Sequence, residues 1–449
     1  MHLTVKHQSV DIDQYLPLIS PQLADQLTAV ASVLRNLRIV HINSTAQGGG
    51  VAEILRSMTP LMCALGISTE WIVINPPPEF FQVTKKIHNL LQGAEGSLSV
   101  SELEIYHGSI KDVASQFRRH GLDADIWFLH DPQLLPLAQL LRENLGAAWL
   151  WVAHIDLTTP NQSVLDSLLP LTSGYDSLVF SMESYVPREL AGSPRVCITP
   201  PAIDPVSVKN TPLEASEASR IIAAMGIDPA RPLITQVSRF DSWKDPWGVI
   251  DAYRVARRDI PNLQLALLGL SQAADDPEAL EVLNSVTEYA AQDPDIHMYY
   301  SCDGLPGSID QIVNAFQVAS QVVLQKSTRE GFGLTVAEAM WKGKPVIGGN
   351  VGGIRLQIEN GVSGYLVDTP EECAWRIVQL VGHPDLMQRI GQAARESVRQ
   401  RFLLPRLALD YLRVAESTLA GNVASNGHDV QAIRNLRFSP ALPFPPPGC

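Results

Sequence analysis

Two glutamates with seven residues between them mark the part of this sequence most suited to chemistry. Glu330 and Glu338 bracket the run GFGLTVA, in which Gly331 and Gly333 flank Phe332. Glycines leave the backbone free to present amide N–H groups, and a helix predicted directly after them would aim its positive end at the same place. The carboxylates could be a general acid and base, bind a metal, hold a sugar, or only stabilise a helix start by about 0.3 to 1 kcal/mol.

Two cations follow a predicted strand at the start of the second half of the chain. Arg239 and Lys244 lie five residues apart in SRFDSWKDP. The formal charge of -13 disfavours nucleic acid and anionic membranes as partners, so an anionic ligand would need such a local cluster. The pair could converge on a diphosphate and stabilise charge on a leaving group, or form only a solvated basic loop.

A run of three glycines, Gly48, Gly49 and Gly50, stands between a strand predicted to end at Asn43 and a helix predicted to begin at about Val51. Backbone N–H groups at such a helix start can approach an anion or a sugar. A flexible turn accounts for the glycines equally well, so the spacing alone leaves both interpretations open.

Four polar residues end two further predicted strands: His130 and Asp131 in LHDPQ, and His154 and Asp156 in VAHIDLTTP. Their types match metal ligands, but their spacing matches no metal signature, and hydrogen bonding to a polyol is the better use. We therefore expect no protein-bound metal. The five cysteines are scattered without a C-x-x-C pair, which is typical of free thiols in a reducing cytoplasm.

The elements that must position these residues alternate between strands and helices along almost all of the 449 residues. This is the pattern of a doubly wound α/β chain with parallel sheets, in which ligands bind beyond the carboxyl ends of the strands. The predicted strands are 38–43, 70–74, 125–130, 148–154, 176–181, 233–238, 263–269, 297–301, 321–326 and 345–349.

The proline-rich segment 199–214 suits a hinge between two facing Rossmann-like domains with a cleft between them. The N-terminus lacks the pattern of a secretory signal, and the longest apolar run, 147–153, is too short to span a bilayer, so we expect a cytoplasmic protein. The expected parts are a first domain over 1–205, a second domain over 206–400, a helix over 401–420 that returns to the first domain, and a mobile proline-rich tail over 421–449.

The stretch EGFGLTVAE resembles the E-x7-E motif of retaining glycosyltransferases with two facing Rossmann domains (the GT-B type), and the Arg239 and Lys244 pair resembles the diphosphate clamp of that group. The resemblance is closer to trehalose synthases of the glycosyltransferring type and to the related retaining trehalose phosphorylases. It is carried by HINSTAQGGGVAEIL, FFQVTKKIHNLLQG, HIDLTTPN, PPAIDPVSVKN, RFDSWKDPWGVIDAYR and EGFGLTVAEAMWKGKPVIGG.

The resemblance implies a role for each candidate residue. The second domain would bind a nucleotide sugar, with its glucose held by Glu330, its ribose by Glu338 and its diphosphate by the two cations. The implied catalytic residues are Arg239, Lys244, Glu330 and His154; the donor-binding residues are Gly331, Phe332, Gly333, Leu334, Thr335 and Glu338; and the acceptor-binding or phosphate-binding residues are Gly48, Gly49, Gly50 and Asp156.

The implied activity is transfer of glucose, with retention, from a nucleoside diphosphate glucose to free glucose, which forms trehalose. No cofactor is implied beyond Mg²⁺ as an activator that the protein does not itself bind. The partners are the two substrates, without nucleic acid or membrane, and a homodimer stays open. The alternatives are a trehalose phosphorylase, transfer to another small polyol such as glycerol or glycerate, and a silent sugar-nucleotide binding protein. The base of the donor is left open.

Overall fold

The computed structural model describes residues 3–6, 8–142, 147–270 and 277–425, which form two compact units. Unit 1 takes the described parts of Met1–Gln47, Val51–Pro200 and Pro405–Cys449, and unit 2 takes the described parts of Gly48–Gly50 and Pro201–Leu404. The division after Pro200 falls in the segment 199–214, whose prolines interrupt regular structure. Residues 426–449 of the predicted tail lie outside the described residues.

Unit 1 is built on a seven-stranded sheet. Its strands are β1 (Leu3–Thr4), β2 (Arg38–Asn43), β3 (Ser68–Val73), β4 (Ile126–His130), β5 (Ala148–Ala153), β6 (Ser177–Phe180) and β7 (Val196–Ile198). Their order is β1-β3-β2-β4-β5-β6-β7, with β1 antiparallel to β3 and the other pairs parallel. Every residue of β4 and β5 is buried, as expected for central parallel strands covered on both faces.

The helices between these strands are α1 (Pro21–Leu34), α2 (Gly50–Ala64), α3 (Pro78–Leu91), α4 (Val100–Arg119), α5 (Leu137–Leu141) and α6 (Gln162–Leu168). Ser20 and Ser99 begin α1 and α4 by accepting hydrogen bonds from backbone N–H groups three residues on, as serine does at helix starts. The apolar faces of α3 and α4 pack into the hydrophobic core beside the sheet. The stacked indoles of Trp127 and Trp149 belong to the same core.

Unit 2 is built on a six-stranded parallel sheet. Its strands are β8 (Leu233–Val237), β9 (Gln264–Leu268), β10 (Ile296–Tyr299), β11 (Val322–Gln325), β12 (Val346–Gly349) and β13 (Tyr365–Val367), in the order β10-β9-β8-β11-β12-β13. The helices are α7 (Ala215–Ala224), α8 (Pro246–Ala256), α9 (Pro277–Ala290), α10 (Ile309–Ala319), α11 (Leu334–Trp341), α12 (Gly352–Gln357), α13 (Pro370–Gly382) and α14 (Pro384–Arg401). The strand order reverses between β8 and β11, so the crevice of this sheet lies beyond their carboxyl ends.

The last described helix, α15 (Leu404–Ser425), belongs to unit 1 from Pro405 onward. Thr418 shares a 2.7 Å hydrogen bond with Ser177 in β6, and the Tyr411 ring stacks on Phe128 in β4 at 5.3 Å between centroids. The helix runs beyond residue 420, through the first five residues of the segment expected to be mobile.

All ten predicted strands are present within about two residues of their predicted ends, an ordinary boundary error. The sequence did not reveal β1, β7 and β13, because strands of two or three residues are too short for a periodic pattern. The structure therefore confirms two Rossmann-like α/β domains. Within the described ranges, no helix combines the length and the apolar character that crossing a bilayer requires.

Candidate active site

Lys244 and Glu330 meet beyond the carboxyl ends of β8 and β11, which are neighbours in the unit 2 sheet. Lys244 ends a short 3-10 turn after β8, and Glu330 lies in the loop after β11. Lys244 Nζ donates to Glu330 Oε2 at 2.6 Å, and the two side chains are only 18% and 10% exposed. The lysine expected at a diphosphate is therefore also a direct partner of the glutamate.

Glu330 is oriented by further donors. Its Oε2 accepts from Ser327 Oγ at 3.2 Å and from Gln325 Nε2 at 3.4 Å. Gln325, the last residue of β11, in turn accepts from Thr335 Oγ1 at 3.0 Å. A carboxylate with several donors on one oxygen is held in a single orientation, which suits a residue that must hold a ligand.

The turn that carries Lys244 is fixed by contacts from β8 and from the start of α8. Gln236 in β8 donates to the Lys244 carbonyl at 3.0 Å and accepts from the Lys326 backbone N–H at 3.1 Å. Asp245 has a left-handed φ of 47°, accepts from Gly248 N at 3.0 Å at the start of α8, and pairs with the Lys326 ammonium. Aspartate is one of the few residues other than glycine that adopt this backbone conformation readily.

The glycine-flanked loop ends where the sequence predicts. Gly333 has a φ of 82° and directly precedes α11, which begins with Leu334 and Thr335. Phe332 is 6% exposed, and its ring meets the ring of Phe402 edge-on at 5.5 Å. Gln357 Nε2 donates to the carbonyls of Phe332 and Gly333 at 2.5 and 3.2 Å. The loop is therefore held from α12 as well as by its own helix.

Glu338 lies in the second turn of α11 and is completely buried. Lys209 Nζ lies 3.5 Å from its Oε1, and Lys342 donates to its backbone carbonyl at 3.3 Å. A buried carboxylate is costly unless it is paired, and Lys209 places a cation beside this one. That it takes ribose hydroxyls stays a prediction.

Arg239 lies in the loop after β8 and pairs with a nearby carboxylate, because its Nη2 is 3.3 Å from Asp241 Oδ2. Asp241 Oδ1 also accepts from the Trp243 backbone N–H at 2.9 Å, which shapes the turn before Lys244. Each of the two predicted cations thus contacts a carboxylate of the protein. Their convergence on one diphosphate stays a prediction.

The three glycines Gly48, Gly49 and Gly50 belong to unit 2, although the strand and the helix on either side of them belong to unit 1. Gly48 and Gly49 have φ values of 75° and 91°, which glycine adopts without strain, and Gly50 begins α2. A methyl group on Gly50 would lie 3.3 Å from Cδ1 of Leu334, also in unit 2. Contact of this loop with phosphate or acceptor stays a prediction.

The carboxyl ends of β4 and β5 in unit 1 bring His130 and His154 together, with Nδ1 of His130 3.0 Å from Nε2 of His154. His41 in β2 extends the contact, because its Nδ1 lies 3.0 Å from Nε2 of His130. Burial lowers the pKa of His41 to about 3 and the pKa of His154 to about 4. Burial and the two neighbouring histidines lower the pKa of His130 well below its ordinary value. At neutral pH all three imidazoles are uncharged.

Asp131 follows His130 with a left-handed φ of 65°, and its Oδ1 accepts from the His154 backbone N–H at 2.8 Å. Burial raises the pKa of Asp131 to about 7, although that hydrogen bond acts in the opposite direction. Asp156 is buried and its Oδ1 accepts from the Thr158 backbone N–H at 2.9 Å, an Asx turn that shapes the loop after β5. Contact of Asp156 with the acceptor stays a prediction.

In the part of the chain that the structure describes, no group of three or more His, Cys, Asp or Glu side chains is arranged to hold a metal ion. No disulfide joins the described cysteines, which are Cys63, Cys197, Cys302 and Cys373, and Cys449 lies outside the described residues. A requirement for Mg²⁺ as an activator stays a prediction.

Several residues that build the site were not found from the sequence. His41 had a signal, since it is a polar residue inside an apolar strand that neighbours the strand ending in His130. The others had none, because they act through contacts between residues distant in the chain. They are Lys209, Gln236, Gln325, Ser327, Gly353 and Gln357.

Comparison with known proteins gives the class first. The family model described as trehalose synthase, N-terminal domain, matches residues 41–187, and the model described as glycosyl transferases group 1 matches residues 218–397. Among solved structures, an alpha,alpha-trehalose-phosphate synthase (UDP-forming) from Burkholderia vietnamiensis superposes with a TM-score of 0.68 at 16% identity, over 86% of this chain and 99% of that one. A sucrose-phosphate synthase from Thermosynechococcus elongatus superposes with a TM-score of 0.66 at 18% identity, over 86% and 100%. The fold and the two family models together define a glycosyltransferase of the GT-B type.

Curated relatives then give the family. A trehalose synthase from Rubrobacter xylanophilus is 43% identical over 89% of this chain and 95% of its own length. A trehalose synthase from Pyrococcus horikoshii is 40% identical over 90% and 96%. A trehalose phosphorylase from Grifola frondosa is 30% identical over 87% of this chain but only 59% of its own length. The chain belongs to the trehalose synthase family of glycosyltransferases.

Proposed function

We propose that the protein transfers glucose from a nucleoside diphosphate glucose to free glucose with retention of configuration, which forms trehalose. The observation that carries this proposal is the 43% identity to a trehalose synthase over 89% of the chain and 95% of that relative. The ion pair of Lys244 with Glu330 beyond the strand ends of unit 2 supports it physically, because it places a cation and an oriented, largely buried carboxylate side by side where this fold binds ligands.

In this proposal unit 2 binds the donor. Glu330, fixed by Lys244, Ser327 and Gln325, accepts hydrogen bonds from glucose hydroxyls, and the loop from Gly331 to Thr335 offers backbone N–H groups at the start of α11. Glu338 accepts hydrogen bonds from the ribose. The base stays open, since none of these contacts distinguishes one nucleobase from another.

A nucleoside diphosphate is already a good leaving group, so it needs charge stabilisation more than a proton. Arg239 and Lys244 supply positive charge to the departing diphosphate, where each well-aimed donor contributes about 3 kcal/mol to transition-state stabilisation. The acceptor hydroxyl attacks the face that the diphosphate leaves, and a departing phosphate oxygen takes its proton. No protein-bound metal enters this scheme, and Mg²⁺ acts only as an activator in solution.

Two residues of unit 1 act on the sugars in this proposal: His154 lies beside the reacting sugar, and Asp156 contacts the acceptor glucose. Gly48 to Gly50, which belong to unit 2, offer backbone N–H groups to phosphate or acceptor. Since His154 is uncharged at neutral pH, it acts as a hydrogen-bonding group and not as a cation.

The test is a product assay in two arms. One arm contains glucose and one nucleoside diphosphate glucose at a time, and the other contains trehalose and inorganic phosphate, with the linkage formed read by NMR. We expect α,α-linked trehalose in the first arm. Turnover only in the second arm would establish a phosphorylase, and turnover only with glycerol, glycerate or another sugar would change the acceptor. Either result contradicts the proposal, as does binding without turnover.

A further inference from the structure

We propose that His41 and His130 are positioning residues that hold His154 as a neutral hydrogen-bond donor with its proton on Nδ1. Neither residue reaches the reacting sugar in this scheme, and each acts through the next ring. The functional consequence rests on the proposed function, which places His154 beside the sugar, whereas the arrangement of protons rests on the structure alone.

The register of the parallel strands creates the chain of rings. His41 is paired with Phe128 across β2 and β4, and His130 is paired with Val152 across β4 and β5. Side chains two residues apart on a strand share a face, so each histidine lies one step diagonally from the next. The ring centroids of successive histidines are 5.3 Å apart, and two 3.0 Å nitrogen contacts join the three rings.

Proton counting restricts this chain to two states. Each neutral imidazole has one N–H and one lone pair, and each ring-to-ring hydrogen bond needs one of each. Once the proton of one ring is assigned to a nitrogen, the positions of the other two protons are fixed. All three protons therefore point in the same direction along the row of three histidines. They point either inward, toward His41, or outward, toward His154.

The buried end selects the direction. His41 Nε2 is inaccessible to solvent and has no hydrogen-bond partner within the described residues. The rings of Phe128 and Tyr411 stack on His41 at 4.7 and 6.4 Å, so its surroundings are largely aromatic. Inward protons would leave a buried unpaired N–H at this nitrogen, whereas outward protons leave only a lone pair. Among backbone groups, unpaired buried N–H donors are rarer than unpaired acceptors, and the same preference applied to this imidazole favours the outward state.

In the outward state each of the three rings carries its proton on Nδ1. His154 Nε2 then accepts from His130, and His154 Nδ1 is left as a donor for an oxygen of the ligand, either a sugar hydroxyl or a phosphate oxygen. The partner of one imidazole nitrogen sets the role of the other, as in metal sites where a hydrogen bond fixes the ligating nitrogen. Of the three residues, His154 is half-buried, whereas His41 and His130 are buried.

The direct test is nitrogen-15 NMR of the full chain labelled at its 11 histidines, with assignment by single substitutions. Protonated and unprotonated ring nitrogens give separate signals, so the tautomer of each ring is read without substrate. We expect Nδ1–H in His41, His130 and His154 at pH 7. An Nε2–H form of His154 overturns the inference, and because no substrate is present this outcome is independent of the proposed function.

The kinetic test compares two substitutions of His41. His41→Asn keeps a side-chain N–H near the position of Nδ1, whereas His41→Leu keeps bulk without a donor. Loss of such a supporting hydrogen bond typically lowers activity by about 10-fold to 100-fold, so we expect His41→Leu to lower kcat by about 10-fold with little change in KM, and His41→Asn to restore it.

Tyr175→Phe is the matched control for general loss of stability in unit 1, since it removes a buried hydrogen bond to the Leu135 carbonyl and lies outside the histidine chain. It should unfold earlier but keep its kcat. Equal loss of kcat in the Asn and Leu variants, or an unchanged kcat and unchanged His154 tautomer in His41→Leu, overturns the positioning role. A His41→Leu protein that does not fold leaves the NMR result on the unsubstituted chain as the deciding measurement.

Discussion

Lys244 and Glu330 lie 86 residues apart in the chain, yet the ammonium of one is 2.6 Å from the carboxylate of the other. The pair is largely removed from solvent, so breaking it leaves a desolvated charge. We expect Lys244→Met and Glu330→Gln each to lower kcat by about 100-fold to 1,000-fold, as loss of a transition-state donor does. The double variant should lose much less than the product of the two effects, which steady-state kinetics of all four proteins will show.

The two single variants, the double variant and the unsubstituted protein form a double-mutant cycle. Its control is the exposed ion pair between Arg399 and Glu396 in α14, whose side chains are 41% and 48% exposed. Arg399→Met and Glu396→Gln should show a coupling in thermal stability below about 1 kcal/mol, since exposed pairs contribute little. Strictly multiplicative effects of Lys244→Met and Glu330→Gln on kcat would mean that the two residues act independently.

Gly353 packs against the loop that carries Phe332. A methyl group at Gly353 would lie 2.3 Å from the Phe332 Cα and 2.6 Å from the Gly331 carbonyl oxygen, both of them backbone atoms that cannot rotate away. Gly353→Ala should therefore displace the donor loop, destabilise unit 2 by roughly 1 to 3 kcal/mol and raise the donor KM. Gly382→Ala is the matched control, because its methyl group would meet nothing within 4 Å. Equal melting temperatures and donor KM values for the two variants would contradict this packing.

Glu338 is predicted to bind the donor and not to take part in the chemical step. Since a hydrogen bond to a charged group contributes about 1.5 to 3 kcal/mol, Glu338→Gln should raise the donor KM by about 10-fold to 100-fold and change kcat little. Glu371→Gln, at an exposed position in the first turn of α13, should change neither constant. A fall in kcat at unchanged donor KM would exclude the ribose-binding role.

Asp131 should make stability depend on pH. Its pKa is about 7 in the folded chain against an ordinary value of 3.8, so between these values the folded protein binds the extra proton. Its contribution to stability is therefore greatest at low pH and is lost as the pH rises from about 4 to about 7. Asn keeps the acceptor for the His154 N–H and tolerates the left-handed φ, but it does not titrate.

We therefore compare the free energy of unfolding of Asp131→Asn with that of the unsubstituted protein at pH 5 and at pH 8. The difference should shift in favour of Asp131→Asn by roughly 1 to 2 kcal/mol from pH 5 to pH 8, after allowance for solvent screening. Calorimetric melting at both pH values measures this difference. The buried histidines contribute a pH dependence of stability opposite to that of Asp131. Because their pKa values are lowered in the folded protein, stability falls as the pH drops below 6.5. Because both proteins contain them, their effect cancels. A difference that does not change with pH would show that Asp131 has no raised pKa.

Much of this protein was readable from sequence. Runs such as RIVHIN and QVVLQK alternate with helical segments, and this local periodicity was enough to predict two parallel α/β domains and ten strands. The position of Gly333 at a helix start was equally local, because a glycine with positive φ and the helix dipole behind it depend on only a few consecutive residues.

The tertiary structure alone decided which of these residues are partners. Parallel pairing brings together strand ends separated by tens of residues, and the register of that pairing, which no local pattern encodes, sets which side chains meet. It joined Lys244 to Glu330 and aligned His41 with His130 and His154. Burial, which also depends on the whole fold, then lowered the pKa values of the histidines and raised that of Asp131. The sequence by itself thus determined the strands, the helices and the candidate residues at their ends. The pairing of those residues and their protonation arose only from packing in the folded chain.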